Sequence, residues 1–167
     1  MRKQVFSLLV NNNAGLLSRV AGLFSRRGYN IDSITSGVTA DARVSRITVV
    51  ASGDEQSLSQ IKKQLAKLED VLDIKVLEDG KSVCRELIMV KVRGNAAQRT
   101  EIISLADIFR AKIVDVETDA LMLEMTGTQS KVEAFLNMLS VYEILELART
   151  GITGLSRGSE DVIMFED

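Results

Sequence analysis

Apolar residues follow two different periodicities along the first half of the chain, and each change of period marks an element boundary. Apolar runs typical of strands are predicted at residues 4–10, 29–38, 44–51 and 71–77. After Leu16, and again after Asp54, apolar residues recur at steps of three and four, which predicts two amphipathic helices. Arg26, Arg27 and Gly28 suit the end of the first helix. The predicted order is βαββαβ.

The same order returns in the second half, after a polar link. Strands are predicted at 84–93, 112–116, 120–125 and 141–148, and helices at 96–109 and from about Ser130. In the βαββαβ plan both helices cover one face of a four-stranded sheet. We therefore predict an α+β protein of two tandem ferredoxin-like βαββαβ units, with domains at 1–78 and 84–167 (the second with a short tail) and a linker at 79–83. The other face of each sheet needs a second domain or subunit to cover it.

Composition excludes several kinds of site. The 167 residues include no histidine and one cysteine, so a Ser-His-Asp triad, a His-ligated zinc and an intramolecular disulfide are impossible. Cys84 is expected to be a small buried side chain. The net charge of −2 offers no basic field for nucleic acid. No signal peptide is recognisable, and no apolar segment approaches the ~20 residues that span a bilayer. We expect a cytoplasmic protein, with no nucleic-acid or membrane partner.

A polar, uncharged corner, Asn11 to Gly15, separates the first predicted strand from the first helix. The first N–H groups of a helix lack partners within it and carry partial positive charge, so they suit a carboxylate. Glycine permits positive φ and close backbone approach, and an asparagine amide offers both a donor and an acceptor. From these residues alone, the corner is either a small-molecule site or a helix cap without a ligand.

Five sequence blocks resemble the ACT domain and, more narrowly, the small regulatory subunits of acetohydroxyacid synthase (acetolactate synthase). They are Asn12–Val20 continued by Leu23–Ser33, then Ser45–Thr48, Arg85–Val92, Ala148–Gly151 and Gly154–Gly158. Together they cover nearly the whole chain. Many ACT domains have proline before the corner glycine, where this chain has Ala14. The resemblance implies that the N-terminal unit is an ACT domain.

The resemblance also implies a function. The chain would have no catalytic residues, metal or cofactor of its own, and would act in branched-chain amino acid biosynthesis as a homodimer. It would activate a large catalytic subunit that carries thiamine diphosphate, Mg and FAD, and would confer feedback inhibition by valine, with leucine or isoleucine as alternative effectors. The effector site would lie between two ACT domains. Its residues would be Asn12, Asn13, Ala14, Gly15, Leu16 and Leu17 of one chain, with Asn30 and Ile31 of the other.

Other functions are compatible with the topology to different degrees. An acylphosphatase-like enzyme would need a phosphate-binding arginine in the first corner, where only asparagines stand. An RNA-binding module would need exposed aromatic residues on the strand at 44–51, which has none. The stronger alternative is an amino-acid-sensing ACT module that serves a different enzyme or a transcription regulator.

Four polar segments have no predicted binding chemistry of their own. Gly151–Gly158 lacks the Gly-Lys-Ser/Thr ending of a phosphate loop and is expected to be a flexible C-terminal segment, for which the resemblance implies contact with the catalytic subunit as the alternative. The acidic pairs Glu69-Asp70 and Glu78-Asp79 are expected to be solvated charges at a helix end and in the linker. Arg26 and Arg27 are expected to end a helix rather than to dock a partner.

Overall fold

A computed structural model describes residues 1–159, and the chain divides into two units. Unit 1 comprises Met1–Cys84 together with the segment that begins at Ile152, and unit 2 comprises Arg85–Gly151. The sequence predicted domains at 1–78 and 84–167, so the structure differs in assigning the last segment to unit 1. The physical reason is a short terminal strand, described below, that pairs near the start of the second half.

Unit 1 is a four-stranded antiparallel sheet with two helices. Its elements are β1 (Arg2–Asn11), α1 (Leu16–Arg27), β2 (Asn30–Val38), β3 (Val44–Gly53), α2 (Glu55–Ala66) and β4 (Val71–Val76). The strand order is β2-β3-β1-β4, which places β2 and β4 at the two edges. The predicted βαββαβ order and ferredoxin-like topology of this half are confirmed.

The core of unit 1 follows from strand alternation. Phe6, Leu8 and Val10 are fully buried and pack with α1 and α2, with Phe6 opposite Val49 and Leu8 opposite Ile47. On the other face of β1, Ser7 and Leu9 are buried as well. Burial of both faces explains why this strand is an almost continuous apolar run instead of an alternating one.

Unit 2 repeats the plan. Its elements are β5 (Ser82–Arg93, which enters this unit at Arg85), α3 (Ala96–Phe109), β6 (Lys112–Val116), β7 (Ala120–Gly127), α4 (Gln129–Leu139) and β8 (Ile144–Arg149). The order β6-β7-β5-β8 matches that of unit 1, so the second ferredoxin-like unit is also confirmed. β8 begins three residues later than predicted because the amide of Tyr142 donates to Leu139 O and continues the turn after α4.

A ninth strand, β9 (Thr153–Ser156), corrects the expectation of a flexible segment after Gly151. It pairs with β5, and the Arg157 amide donates to Lys81 O at 2.8 Å. A four-residue strand with glycine in it carries too little apolar periodicity to be recognised from sequence. Cys84, expected to be buried, is only half-buried in this region.

Alanine at Gly154 should displace β9. A Cβ at this position would lie 2.6 Å from Cys84 Sγ and 2.6 Å from Val83 O. Val83 O is a backbone atom, so it cannot avoid the clash by a change of rotamer. We expect a loss of about 1–3 kcal/mol in the free energy of unfolding, with faster amide hydrogen exchange at Arg157. Gly37→Ala in β2 is the control, because no heavy atom lies within 4 Å of a Cβ there. Equal effects of the two substitutions would contradict the close packing of Gly154 against Val83 and Cys84.

Candidate functional site

The corner between β1 and α1 is anchored from two sides by backbone hydrogen bonds. The amide of Asn11 donates to Asp70 O at 2.9 Å, and that of Asn12 donates to Arg43 O at 2.8 Å. The side chain of Asn12 adds a bond from Nδ2 to Ala42 O at 3.1 Å. The loop after β1 is therefore held between the start of β4 and the turn that joins β2 to β3.

The turn that holds Asn12 is itself closed by an ion pair. Arg43 Nη2 lies 2.7 Å from Asp41 Oδ2, and the Arg43 amide donates to Asp41 Oδ1 at 2.9 Å. Hydrogen bonds from the Arg43 side chain, and then from its backbone, lower the pKa of the Asp41 carboxyl to about 2. Asp41 therefore stays ionised near neutral pH and keeps the turn closed on Asn12.

Asn13 is held by a carboxylate, that of Asp70, which the sequence predicted to be solvated. Its Nδ2 donates to Asp70 Oδ1 at 2.8 Å, and Asp70 Oδ2 pairs with Arg19 Nη2 at 3.0 Å. Asp70 is only 9% exposed, which corrects the expectation of a solvated helix-end charge. Its position follows from topology: β4 runs antiparallel to β1, so the start of β4 meets the end of β1. The predicted strand order was the signal that could have identified this residue.

The N-terminus of α1 has no side-chain cap. Asp54, Asn95 and Thr128 each accept an amide hydrogen bond at the start of α2, α3 and α4, respectively. At α1 the N-cap is Gly15, with φ of +83° and no side chain, and the first turn contains no acidic residue. A Cβ on Gly15 would find no heavy atom within 4 Å, so the backbone here is open. The positive end of the α1 dipole is thus accessible and is not neutralised by a cap.

The two leucines of the corner have different environments. Leu16 is 5% exposed and belongs to the core of unit 1, so its side chain is not available to a ligand. Leu17 is 47% exposed and can contact an apolar group. Asn12, Asn13, Ala14 and Gly15 are all exposed. The structure therefore brings six of the eight predicted residues together, and one of these six serves the core.

Asn30 and Ile31 lie at the opposite end of the sheet from the corner. Asn30 pairs with Ser52, which in turn lies opposite Lys3 on β1. Asn11 is eight residues further along β1, roughly 27 Å away at ~3.4 Å per residue. Asn30 Nδ2 donates to Asp32 Oδ1 at 2.9 Å, and Ile31 packs partly against the core. One chain therefore cannot combine all eight residues in a single site.

Residues 1–159 contain no group of three or more acidic or cysteine side chains arranged to hold a metal ion. Across the same residues, no helix is long and apolar enough to cross a membrane.

Both units match known sequence families. An ACT domain described as AHAS small subunit-like matches residues 6–73, which include the corner. A second family, described as small subunit of acetolactate synthase, matches residues 85–158. The predicted assignment of the N-terminal unit as an ACT domain is confirmed, and the segment through β9 belongs to the family's C-terminal region.

Individual relatives agree over nearly their whole length. The acetolactate synthase small subunit of Mycolicibacterium smegmatis is 46% identical over 93% of this chain and 92% of its own. The acetolactate synthase isozyme 3 small subunit of Escherichia coli is 44% identical over 95% and 98%. The crystal structure of the small subunit from Thermotoga maritima superposes with a TM-score of 0.87 at 40% identity, covering 95% of this chain and 99% of that one. The chain therefore belongs to the family of acetolactate synthase small subunits, regulatory subunits of branched-chain amino acid biosynthesis that lack catalysis of their own.

Proposed function

We propose that this chain forms a homodimer, binds the large catalytic subunit of acetolactate synthase, raises its activity and makes it sensitive to inhibition by valine. Thiamine diphosphate, Mg and FAD belong to the catalytic subunit in this proposal, and the small subunit holds none of them. Valine occupies the corner between β1 and α1, and a second copy of the chain completes this binding site. The observation that carries this proposal is the open, uncapped start of α1 at Gly15.

The groups at the corner suit the three parts of a branched-chain amino acid. The positive N-terminal end of α1 suits the carboxylate. Asn13 donates its amide nitrogen to Asp70, so its oxygen is the atom left to accept from an ammonium group. The half-exposed Leu17 suits the branched side chain, whose burial would contribute on the order of 1.5–3 kcal/mol.

The positions of Asn30 and Ile31 support a site shared by two chains. They lie at the far end of the sheet from their own corner, but on β2, an edge strand whose outer side is unpaired within unit 1. An edge strand can lie beside the same strand of a second copy when a twofold axis relates the two chains. A ligand that touches both chains binds one subunit arrangement better than another, which is what an allosteric effector requires.

Thermal unfolding of the purified chain tests effector binding directly. At a hundred times its Kd, valine should stabilise the chain by about 2.7 kcal/mol, which corresponds to a rise of roughly 5–10 °C in the melting temperature. Leucine and isoleucine should be compared with valine, and alanine and glutamate should give no rise. The same preparation, added to the catalytic subunit, should raise its activity and make it valine-sensitive. A holoenzyme whose activity is unchanged by valine would contradict the proposal.

A further inference from the structure

Asp70 is a carboxylate that the fold buries and then satisfies completely. A buried carboxylate is stable only if its charge is paired and its oxygens accept hydrogen bonds. Here each oxygen has a separate partner: Asn13 Nδ2 lies 2.8 Å from Oδ1, and Arg19 Nη2 lies 3.0 Å from Oδ2. The backbone oxygen of Asp70 accepts a third bond from the Asn11 amide at 2.9 Å.

All three partners of Asp70 belong to one segment, residues 11–19. Asn11 ends β1, Asn13 lies in the middle of the corner, and Arg19 lies in the first turn of α1. One residue at the start of β4 thus contacts the corner on its strand side, at its centre and on its helix side. Asn13 is 57 positions away in sequence, so this is a tertiary contact and not local turn chemistry.

No other contact of the corner has the same character. The side-chain bond of Asn12 to Ala42 O is neutral and exposed. Gly15 has no side chain, and nothing lies within 4 Å of where one would begin. Hydrogen bonds to an ionised group are stronger than neutral ones, and partial burial shields them from solvent. Asp70 is therefore the strongest side-chain restraint on a loop whose residues 12–15 are exposed.

We propose that Asp70 is the positioning residue of the effector site, an inference that rests on the proposed function. It contacts no ligand itself. It holds the amide of Asn13 in one orientation, with nitrogen towards Asp70 and oxygen available to the effector, and it holds the first turn of α1 beside the loop. A loop already fixed in its binding geometry loses less conformational freedom when the ligand binds, so its affinity is higher.

Substitution of Asp70 should weaken valine binding by the full-length chain. We expect Asp70→Ala to raise the Kd for valine about tenfold, as is typical for the loss of one hydrogen bond to a charged group. Asp70→Asn should raise it less, because an amide oxygen can still accept from Asn13 while the ion pair with Arg19 is lost. Calorimetric titration with valine gives the Kd, and valine inhibition of the reconstituted holoenzyme should shift in parallel.

Two controls separate positioning from general destabilisation. Ile61→Val trims a fully buried core side chain and should lower the melting temperature without changing the Kd. Glu78→Gln removes the same charge from an exposed ion pair with Lys81 and should change neither quantity. In a double variant, Asn13→Ala combined with Asp70→Ala should weaken binding less than the sum of the two single effects, since both remove the same contact.

The outcomes distinguish this inference from the proposed function. If the parent chain binds valine and Asp70→Ala and Asp70→Asn bind it equally well, Asp70 only holds the fold and the inference is overturned. A rise in Kd that the Ile61→Val control reproduces would overturn it too. If the parent chain and its holoenzyme fail to respond to valine, the proposed function fails before the variants are compared.

Discussion

Alanine in place of Arg149 should lower the free energy of unfolding of unit 2 by about 3 kcal/mol. Arg149 Nε lies 2.7 Å from Glu86 Oε1, and Arg149 Nη2 lies 3.1 Å from Glu86 Oε2. The two residues thus form a bidentate ion pair between β8 and β5. Glu86 is only 4% exposed, so removal of the arginine leaves a buried carboxylate without its countercharge. The Arg149 side chain is itself 34% exposed, which places the effect at the lower end of the range of about 3–5 kcal/mol for buried pairs.

The arginine is suited to this role because it stays charged. Its hydrogen bonds to Glu86, the larger cause, and to Glu133 raise the pKa of the Arg149 guanidinium above its already high value. The guanidinium also reaches Glu133 of α4, with Nη2 3.0 Å from Oε1. The ion pair therefore joins two strands and a helix of unit 2 in one network.

Thermal unfolding and amide hydrogen exchange in β5 and β8 measure this effect. For a unit of this size, about 3 kcal/mol corresponds to a fall of at least about 10 °C. Lys91→Ala is the matched control, because Lys91 also lies on β5 and pairs across to β8, but with the exposed Glu146. That substitution should change stability by less than about 1 kcal/mol. The double variant Glu86→Leu with Arg149→Met should recover most of the lost free energy of unfolding. Similar losses of stability in Arg149→Ala and Lys91→Ala would contradict the predicted role of the buried Glu86.

Two defective chains should restore valine binding to each other when they are mixed. Gly15→Val places a β-branched residue at φ of +83°, which is strongly disfavoured, and it blocks the open start of α1. Asn30→Ala removes the amide at the far end of the sheet. If the site takes its corner from one chain and Asn30 from the other, each variant alone loses both of its sites. A mixed dimer keeps one intact site and carries both defects in the other.

The expected recovery can be calculated from twofold symmetry. In an equal mixture with random exchange, half of the dimers are mixed and each has one intact site, so about a quarter of all sites should bind valine. Calorimetric titration of the mixture after subunit exchange measures that fraction. Gly80→Val carries the same backbone strain at φ of +80° away from the corner, and Asn137→Ala removes an exposed amide in α4. A mixture of these two controls should bind fully. Full binding by Asn30→Ala alone, or no recovery in the test mixture, would contradict a site shared by two chains.

Local pattern in the sequence was sufficient for most of the elements. α1 begins at Leu16 and ends at Arg27 as its apolar spacing and its arginines predicted, and Gly28 takes the left-handed conformation expected after a helix. α3 and β6 have the predicted bounds as well. These features depend on residues a few positions apart, and hydrophobic periodicity records such neighbours directly.

The candidate site was predictable only in part. Composition and the resemblance drew attention to the corner, whereas its strongest restraint, Asp70, was assigned to solvent. Leu16 was predicted as a ligand contact, although its side chain belongs to the core. Whether the eight predicted residues bind an effector stays a prediction, because their union in one site depends on a second copy of the chain.

The sequence by itself determined the βαββαβ repeat, the polar, uncharged corner before α1 and the family, since each of these depends on the order and type of residues along the chain. Only the tertiary structure decided that Asp70 would be buried against Asn13 and Arg19, that Glu86 would meet Arg149, and that residues after Gly151 would return to β5. The physical reason is distance along the chain: these contacts join residues some 50 or more positions apart, and a charge or a short strand carries no local sign of the partner that will satisfy it.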